Sequence, residues 1–233
     1  MSTDRAALFD VDGTLTDTNH LHVVSWWEAL RQAGHRVPAH AVHRALGLPG
    51  EDLLDHLLGE ERDRSGDEGI SAAHDTLYAT YFERIPSFDA AADLLRALAG
   101  DGWKVVLVTS AKDRELEALR KAIDADDAIT DTATSEDVDQ GKPAPDQVRH
   151  ALGLAGVPPE RAVFVGDSVW DMQAATRAGV SAVGLLCGGI PREDLEEAGA
   201  AAVYRDPADL LAGLDASPFL RLPATSGDGA AAG

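Results

Sequence analysis

Short apolar runs that stop abruptly at polar or acidic residues recur along the chain. Ala6-Ala7-Leu8-Phe9 stops at Asp10-Val11-Asp12-Gly13-Thr14-Leu15, Lys104-Val105-Val106-Leu107-Val108 at Thr109-Ser110, and Ala162-Val163-Phe164-Val165 at Gly166-Asp167-Ser168-Val169-Trp170-Asp171. Runs that are apolar at nearly every position, rather than at alternate ones, are those of strands buried on both faces, as in a parallel sheet. Helical spacing follows: Asp113–Ala122 reads as a helix after the second run, and Trp170–Ala178 after the third. Beyond them the pattern gives a strand at Ser181–Leu186, a helix at Arg192–Ala198, a short strand at Ala201–Tyr204 and a helix at Pro207–Leu214, with Gly179, Gly184 and Gly188-Gly189 as breaks. Gly141-Lys142-Pro143-Ala144-Pro145-Asp146 is a proline-stiffened loop, read as a further strand-end signal, in which Asp146 caps a helix running through Leu152. The expected class is α/β: a Rossmann-like parallel sheet with helices on both faces and its polar groups at the carboxyl edge, where open sheets of this kind bind ligands.

Between the first and second runs the period changes. From Thr16 to Ile85 no strong strand is seen; Val23, Trp26 and Leu30 recur at helical spacing, and Leu53, Leu54, Leu57 and Leu58 form a second apolar face. We therefore expect an inserted α-helical cap domain of about four helices over residues 16–85, with hinges near Thr16–Asp17 and Ile85–Ser87 and a loop at Glu60–Gly69. The core is then residues 1–15 and 86–216. Residues 217–233 are rich in Pro, Ala, Gly and Ser, and a disordered tail is expected there. Gly188-Gly189-Ile190-Pro191 falls at another strand end, where it either borders the crevice or, as the preferred reading, forms a simple loop.

Candidate chemistry sits at the strand ends. Asp10 and Asp12 leave one strand at a glycine turn, so their oxygens crowd around one point, and like charges that close need a cation. Oxygen ligands at a small site suit Mg²⁺, which neutralises a phosphate and leaves one carboxylate to attack it. Thr109 at its strand tip is the phosphate contact, and Ser110 beside it is either a plain helix cap or a second contact. Lys142, held in a stiff loop, suits permanent pairing with a carboxylate or a phosphoryl oxygen; Pro143 rules out a nucleotide P-loop. Asp167 at a strand tip and Asp171 in the first helical turn face one crevice.

Taken together, the order DxDGT, apolar run to Thr, Lys-Pro, then GDxxxD resembles the haloacid dehalogenase superfamily of phosphotransferases over nearly the whole chain except its C-terminal tail. The stretch Asp17-Thr18-Asn19-His20-Leu21-His22 through Trp26 further resembles the branch that contains phosphoglycolate phosphatases and β-phosphoglucomutase. The resemblance implies Asp10 as the nucleophile that becomes an aspartyl-phosphate and Asp12 as the acid/base, which also lends its backbone carbonyl to Mg²⁺. It implies Asp10 and Asp167 as direct metal ligands, Asp171 as the holder of metal waters or of Lys142, and Thr109 and Lys142 as the groups that grip the phosphoryl oxygens. Arg44 is implied as a partner for a second anionic group of the substrate, the alternative being a surface helix arginine, and His22 resembles in position a cap-hinge histidine of the mutase. His20 and His22, two residues apart on a helix, diverge by ~200° and do not share an ion. Carbon–halogen-cleaving relatives lack the second aspartate, because halide needs no proton to depart; Asp12 therefore argues for phosphate. The mutase alternative is disfavoured because β-phosphoglucomutase has adjacent acidic residues in its fourth motif and a cap lysine, whereas the first lysine here is Lys104. A catalytically silent sensor of phosphometabolites is the remaining alternative, although every catalytic position is occupied.

Bulk properties narrow the partners. With 233 residues the chain can hold one core and a cap, and a net charge of −20 with a pI near 4.6 argues against nucleic acid and anionic membranes. The expected partner is a small phosphorylated metabolite, with a monomer as the default state. The single cysteine, Cys187, excludes an intramolecular disulfide and sits at the end of a core strand. Asp4-Arg5 leads straight into the first strand, with no room for a signal peptide, so a cytoplasmic setting is expected.

Overall fold

The computed structural model describes residues 4–220. Six parallel strands, β1 (Arg5–Phe9), β2 (Trp103–Val108), β3 (Ile129–Ala133), β4 (Ala162–Gly166), β5 (Ser181–Leu185) and β6 (Ala200–Tyr204), form one sheet in the order β3-β2-β1-β4-β5-β6. The order reverses direction at β1 and β4, which pair from Ala6↔Ala162 to Phe9↔Val165, so the crevice of an open α/β sheet opens at their carboxyl ends.

Continuous apolar runs account for the central strands. In β1, Ala7 and Phe9 join Val105, Leu107, Val163 and Val165 on one face, while Ala6 and Leu8 join Val106, Val108 and Phe164 on the other, each fully buried. The first face is covered by α5 (Ala91–Gly100), α6 (Asp113–Ile123) and α10 (Pro207–Ala212), and the second by α7 (Asp146–Ala155), α8 (Val169–Ala178) and α9 (Arg192–Glu197). The insert contributes α1 (Asn19–Gln32), α2 (Ala39–Ala45), α3 (Gly50–Leu58) and α4 (Asp67–Tyr78), followed by a 3₁₀ segment, Ala79–Arg84. Val23, Trp26, Leu30, Val42, Leu53, Leu54 and Ile70 give these helices an apolar cluster of their own. Two connections join insert and sheet side by side: Thr16 bridges Ser87, and Asp17 N–H donates to the Pro86 carbonyl (3.0 Å). Among the described residues no helix is long and apolar enough to cross a membrane.

Several expectations need correction. Asp67, Glu68 and Gly69 lie in the first turn of α4, so the expected Glu60–Gly69 loop is shorter; Arg62 spans it, paired with both Asp55 and Asp67. Asp146 does not cap α7: Pro145 holds the cap position and Asp146 is the first helical residue. The Lys142 loop follows no strand directly, since the 3₁₀ turn Ser135–Asp137 separates it from β3. β3 and α5 went unassigned, β3 because it is an edge strand whose Asp131 and Thr132 break the apolar run. Ser110 does not cap α6, because Lys112 occupies that position.

The chain end is also ordered further than expected. Ser217 and Phe219 are buried, and Phe219 meets Trp103 edge-on with ring centroids 4.9 Å apart. Of the expected disordered tail, 217–219 is therefore packed structure, Leu220 is exposed, and 221–233 lies outside the described residues. Truncating Phe219 exposes the flank of β2 at Trp103. Phe219→Ala is expected to cost about 3 kcal/mol in urea unfolding with little change in m-value; an unchanged midpoint would show that the chain end adds nothing to the core.

Candidate active site

Asp10 is the first residue beyond β1, and its amide N–H still donates to the Val165 carbonyl of β4 (2.9 Å). That bond fixes the backbone, and two neighbours fix the side chain. Lys142 Nζ donates to Asp10 Oδ1 (2.5 Å), and Thr14 Oγ1 lies 3.1 Å from Asp10 Oδ2 and 2.9 Å from Asp167 Oδ1, which ties the ends of β1 and β4 together. The same lysine donates to the Val108 carbonyl (3.2 Å) and lies 2.8 Å from Asp171 Oδ1. Asp171 Oδ2 accepts from the Ser168 N–H (3.0 Å) and hydroxyl (2.7 Å), a capping box that starts α8 and holds the carboxylate toward the sheet edge.

Two glycines make room for this cluster. Gly13 has φ +77°, and a Cβ there would collide with Asn19 and Asp167. A Cβ on Gly188 would fall on the Asp167 carboxylate. Gly188 thus borders the crevice rather than forming a simple loop, and its carbonyl accepts from Asn19 Nδ2 (3.0 Å) and faces His43 Nε2 (2.8 Å). Asn19 also donates to Asp167 Oδ2 (2.8 Å). Cys187 follows β5 as expected, its thiol donating to the Gly13 carbonyl (3.3 Å).

Asp10, Asp167 and Asp171 bring carboxylate oxygens within 4.8 Å of one another, all buried, against one ammonium group. The charges do not balance. Burial, reinforced by Asp171 and Asp167, pushes the Asp10 carboxyl well above its usual range against the opposing pull of Lys142, and burial with Asp171 pushes Asp167 up to about 7. Burial works against the Lys142 charge, but Asp10 and Asp171 outweigh it and keep the ammonium protonated. The Lys142 ammonium is the one cation on Asp171 Oδ1, and it is shared with Asp10. An all-oxygen, over-negative cluster with three buried carboxylates and one ammonium fits a hard divalent cation.

Asp12, two residues on, has different neighbours. Its Oδ1 accepts from Thr18 Oγ1 (2.7 Å) and lies 3.3 Å from His22 Nε2 and 3.5 Å from the Tyr78 hydroxyl. Burial disfavours its charge, yet the His22 and Thr18 hydrogen bonds prevail and hold the carboxyl below its ordinary value. His22 Nδ1 lies 3.1 Å from His74 Nε2, and His74 Nδ1 lies 2.9 Å from Asp75 Oδ1. Glu115, in the first turn of α6, lies 3.9 Å from His22, and burial with Asp12 nearby pushes it up to about 7.

A cavity of about 330 Å³ joins these groups, walled on one side by Asp10, Asp12, Lys142, Asp167 and Asp171 and on the other by the insert. Ser110 and His22 line it. Thr109 lies beneath the wall, buried, with its hydroxyl accepting the Ala111 N–H (3.1 Å) and its carbonyl accepting from Gln147 (2.6 Å). Arg44 is turned away: its guanidinium pairs with Asp194 of α9 (2.5 Å) and is not on the cavity wall. His20 stacks on His43 (5.6 Å) and has no place in the cluster. Sequence reasoning missed Thr14, Asn19, His74 and Glu115; of these Thr14, inside the first motif, and Asn19, inside the stretch from Asp17 to Trp26, carried a local signal.

A model of the haloacid dehalogenase-like hydrolase family matches residues 5–179. Pyrophosphatase PpaX of Bacillus velezensis is 31% identical over 77% of this chain and 82% of its own length, and phosphoglycolate phosphatase of Pseudomonas putida is 29% identical over 79% and 70%. The crystal structure of a hydrolase from Pseudomonas syringae superposes with a TM-score of 0.86 at 35% identity, covering 91% of this chain and 99% of that one. The chain belongs to the haloacid dehalogenase-like hydrolase family.

Proposed function

We propose that the chain is a Mg²⁺-dependent phosphatase that hydrolyses small phosphomonoesters through an aspartyl-phosphate on Asp10. The observation that carries this reading is the meeting of Asp10, Asp167, Asp171 and Lys142 at the β1/β4 edge, beside an Asp12 that has its own hydrogen-bond partners. The relatives named phosphatase and pyrophosphatase support phosphoryl chemistry.

Asp10, Asp167 and Asp171 would hold Mg²⁺, which supplies charge neutralisation for the phosphoryl group when bound. Asp10 Oδ attacks phosphorus and the ester oxygen departs; His22, which Asp12 holds toward its charged form, gives Asp12 the proton that it passes to that oxygen, and Asp12 then takes one from the water that cleaves the aspartyl-phosphate. Lys142, charged and fixed, and Ser110 hold phosphoryl oxygens as charge spreads in the transition state, while Thr109 beneath them fixes the strand-end backbone through the Ala111 N–H. The insert, residues 16–85, acts as a cap that excludes water and contacts the leaving group. A mutase reading is weaker, because no lysine of the insert reaches the cavity: the insert contains none.

Asp10→Asn should lower phosphate release from p-nitrophenyl phosphate by roughly 10³-fold or more in the presence of Mg²⁺. Retention of normal turnover would refute the nucleophile. Incubation with glucose 1-phosphate separates the two activities: free phosphate supports the phosphatase, and an isomeric sugar phosphate would overturn it.

The raised Asp167 carboxyl gives a pH dependence with a defined sign. Between the ordinary 3.8 and about 7, the native cluster binds protons that the unfolded chain does not. Without a divalent ion, stability therefore falls as pH rises through this window, and above it the buried charge is fully uncompensated. Mg²⁺ competes with those protons, so its increase in Tm should be larger at about pH 8 than at about pH 5.5. An equal shift at both would argue against binding at this cluster.

Gly188→Ala places a methyl group on Asp167. The Mg²⁺ concentration for half-maximal activity should rise roughly tenfold or more, with the far-ultraviolet circular dichroism unchanged. An unaltered Mg²⁺ requirement would separate Asp167 from the metal.

A further inference from the structure

The part of the cavity wall supplied by the insert and the start of α6 carries more acidic than basic side chains. Glu51 of α3, Asp75 of α4 and Glu115 of α6 line it together with Asp12. Among the described residues no arginine lines the cavity. Lys142 is committed to Asp10 and Asp171, and Lys112, the other lining lysine, lies 3.5 Å from Glu136 and is the one cation of the wall that acts on Asp75 and Glu115 besides the histidines. The histidines have partners as well: His22 faces Asp12 and His74, His74 faces Asp75, and His43 faces the Gly188 carbonyl. Arg44, the insert residue expected to meet a second anion, is paired with Asp194 outside the cavity.

Resting on the phosphomonoester reading above, we propose that this cavity rejects leaving groups that carry a second negative charge and takes the uncharged, hydroxyl-rich leaving group of a sugar or polyol phosphate, with Glu115 and Asp75 setting that preference. A second carboxylate or phosphate would face Asp12, Asp75 and Glu115 with only Lys112, already paired with Glu136, to offset them, and like-charge repulsion would oppose it. Hydroxyl groups meet the opposite situation. Each carboxylate accepts several hydrogen bonds, the Ser71 and Ser135 hydroxyls line the same space, and neither requires a counter-charge. A volume of about 330 Å³ is at the small end of ligand pockets, the scale of a phosphorylated monosaccharide rather than a nucleotide.

The test compares kcat/KM of the full chain with Mg²⁺ for glucose 6-phosphate, ribose 5-phosphate, phosphoglycolate and pyrophosphate, with p-nitrophenyl phosphate as a general phosphatase substrate. At least one sugar phosphate should exceed both doubly anionic substrates by roughly tenfold or more, chiefly through KM. Glu115→Gln and Asp75→Asn should each narrow that ratio by roughly threefold or more, whatever they do to the absolute rate, because a general loss cancels in the ratio. Preference of the unmodified enzyme for phosphoglycolate or pyrophosphate, or ratios unmoved in both variants, overturns the inference and leaves the phosphatase reading intact. No phosphate from any of the five substrates overturns the phosphatase reading and this inference with it.

Discussion

The structure depends on one buried ammonium group placed among more carboxylates than it can neutralise. Lys142 touches Asp10, from the end of β1, and Asp171, from the first turn of α8, while Asp167 closes the group from the end of β4. Desolvating an ammonium and several carboxylates at once is tolerable only if their geometry is imposed from outside, because the bare cluster repels itself. The imposing elements are backbone: β1 and β4 are hydrogen-bonded neighbours up to their last residues, and the capping box at Ser168 fixes the start of α8. The apolar faces of the sheet thus do more than bury area. They hold like charges together that would otherwise separate, and the resulting deficit of positive charge is what makes the site receptive to a cation.

What could be read in the sequence follows from how local each cause is. The continuous apolar runs of β1, β2 and β4 are local, and so are the polar residues that end them; Asp10, Lys142, Asp167 and Asp171 do converge as their placement at the sheet edge required. β3 escaped because edge strands are half-solvated and need no unbroken apolar run. Thr14 and Asn19 contact Asp167 from about 150 positions away along the chain, so nothing in their own neighbourhood announces it. Gly188 looks like an ordinary turn glycine until the carboxylate beside it is seen. Arg44 fails for the same reason in reverse: a basic residue on a helix facing the crevice was a reasonable partner for an anion, but Asp194 on α9 reaches it first.

The net charge of −20 gains meaning beside these contacts. An acidic exterior and an acidic leaving-group wall both oppose an incoming anion, so attraction must be concentrated at Lys142 and the cation site. A substrate with a single phosphoryl group can reach that attraction while its remaining atoms stay uncharged. Specificity of this kind arises from repulsion along the approach as much as from contacts at the end of it.

Asp10 and Asp12 stand two residues apart, yet separate parts of the chain orient them. Asp10 is held by Lys142, Thr14 and the β4 backbone, all belonging to the sheet edge. Asp12 is held by Thr18, His22 and Tyr78, which belong to the connection into the insert and to its first and last helices. A displacement of the insert would therefore leave Asp10 in place and remove the partners that keep Asp12 ionised and aimed. Attack on phosphorus needs only the first carboxylate, whereas departure of an alcohol needs a proton at the right moment from the second. In the mechanism proposed above, placing the acid/base under the control of the element that also walls the leaving group makes proton transfer conditional on that element being seated, which would restrict turnover to substrates over which it can seat.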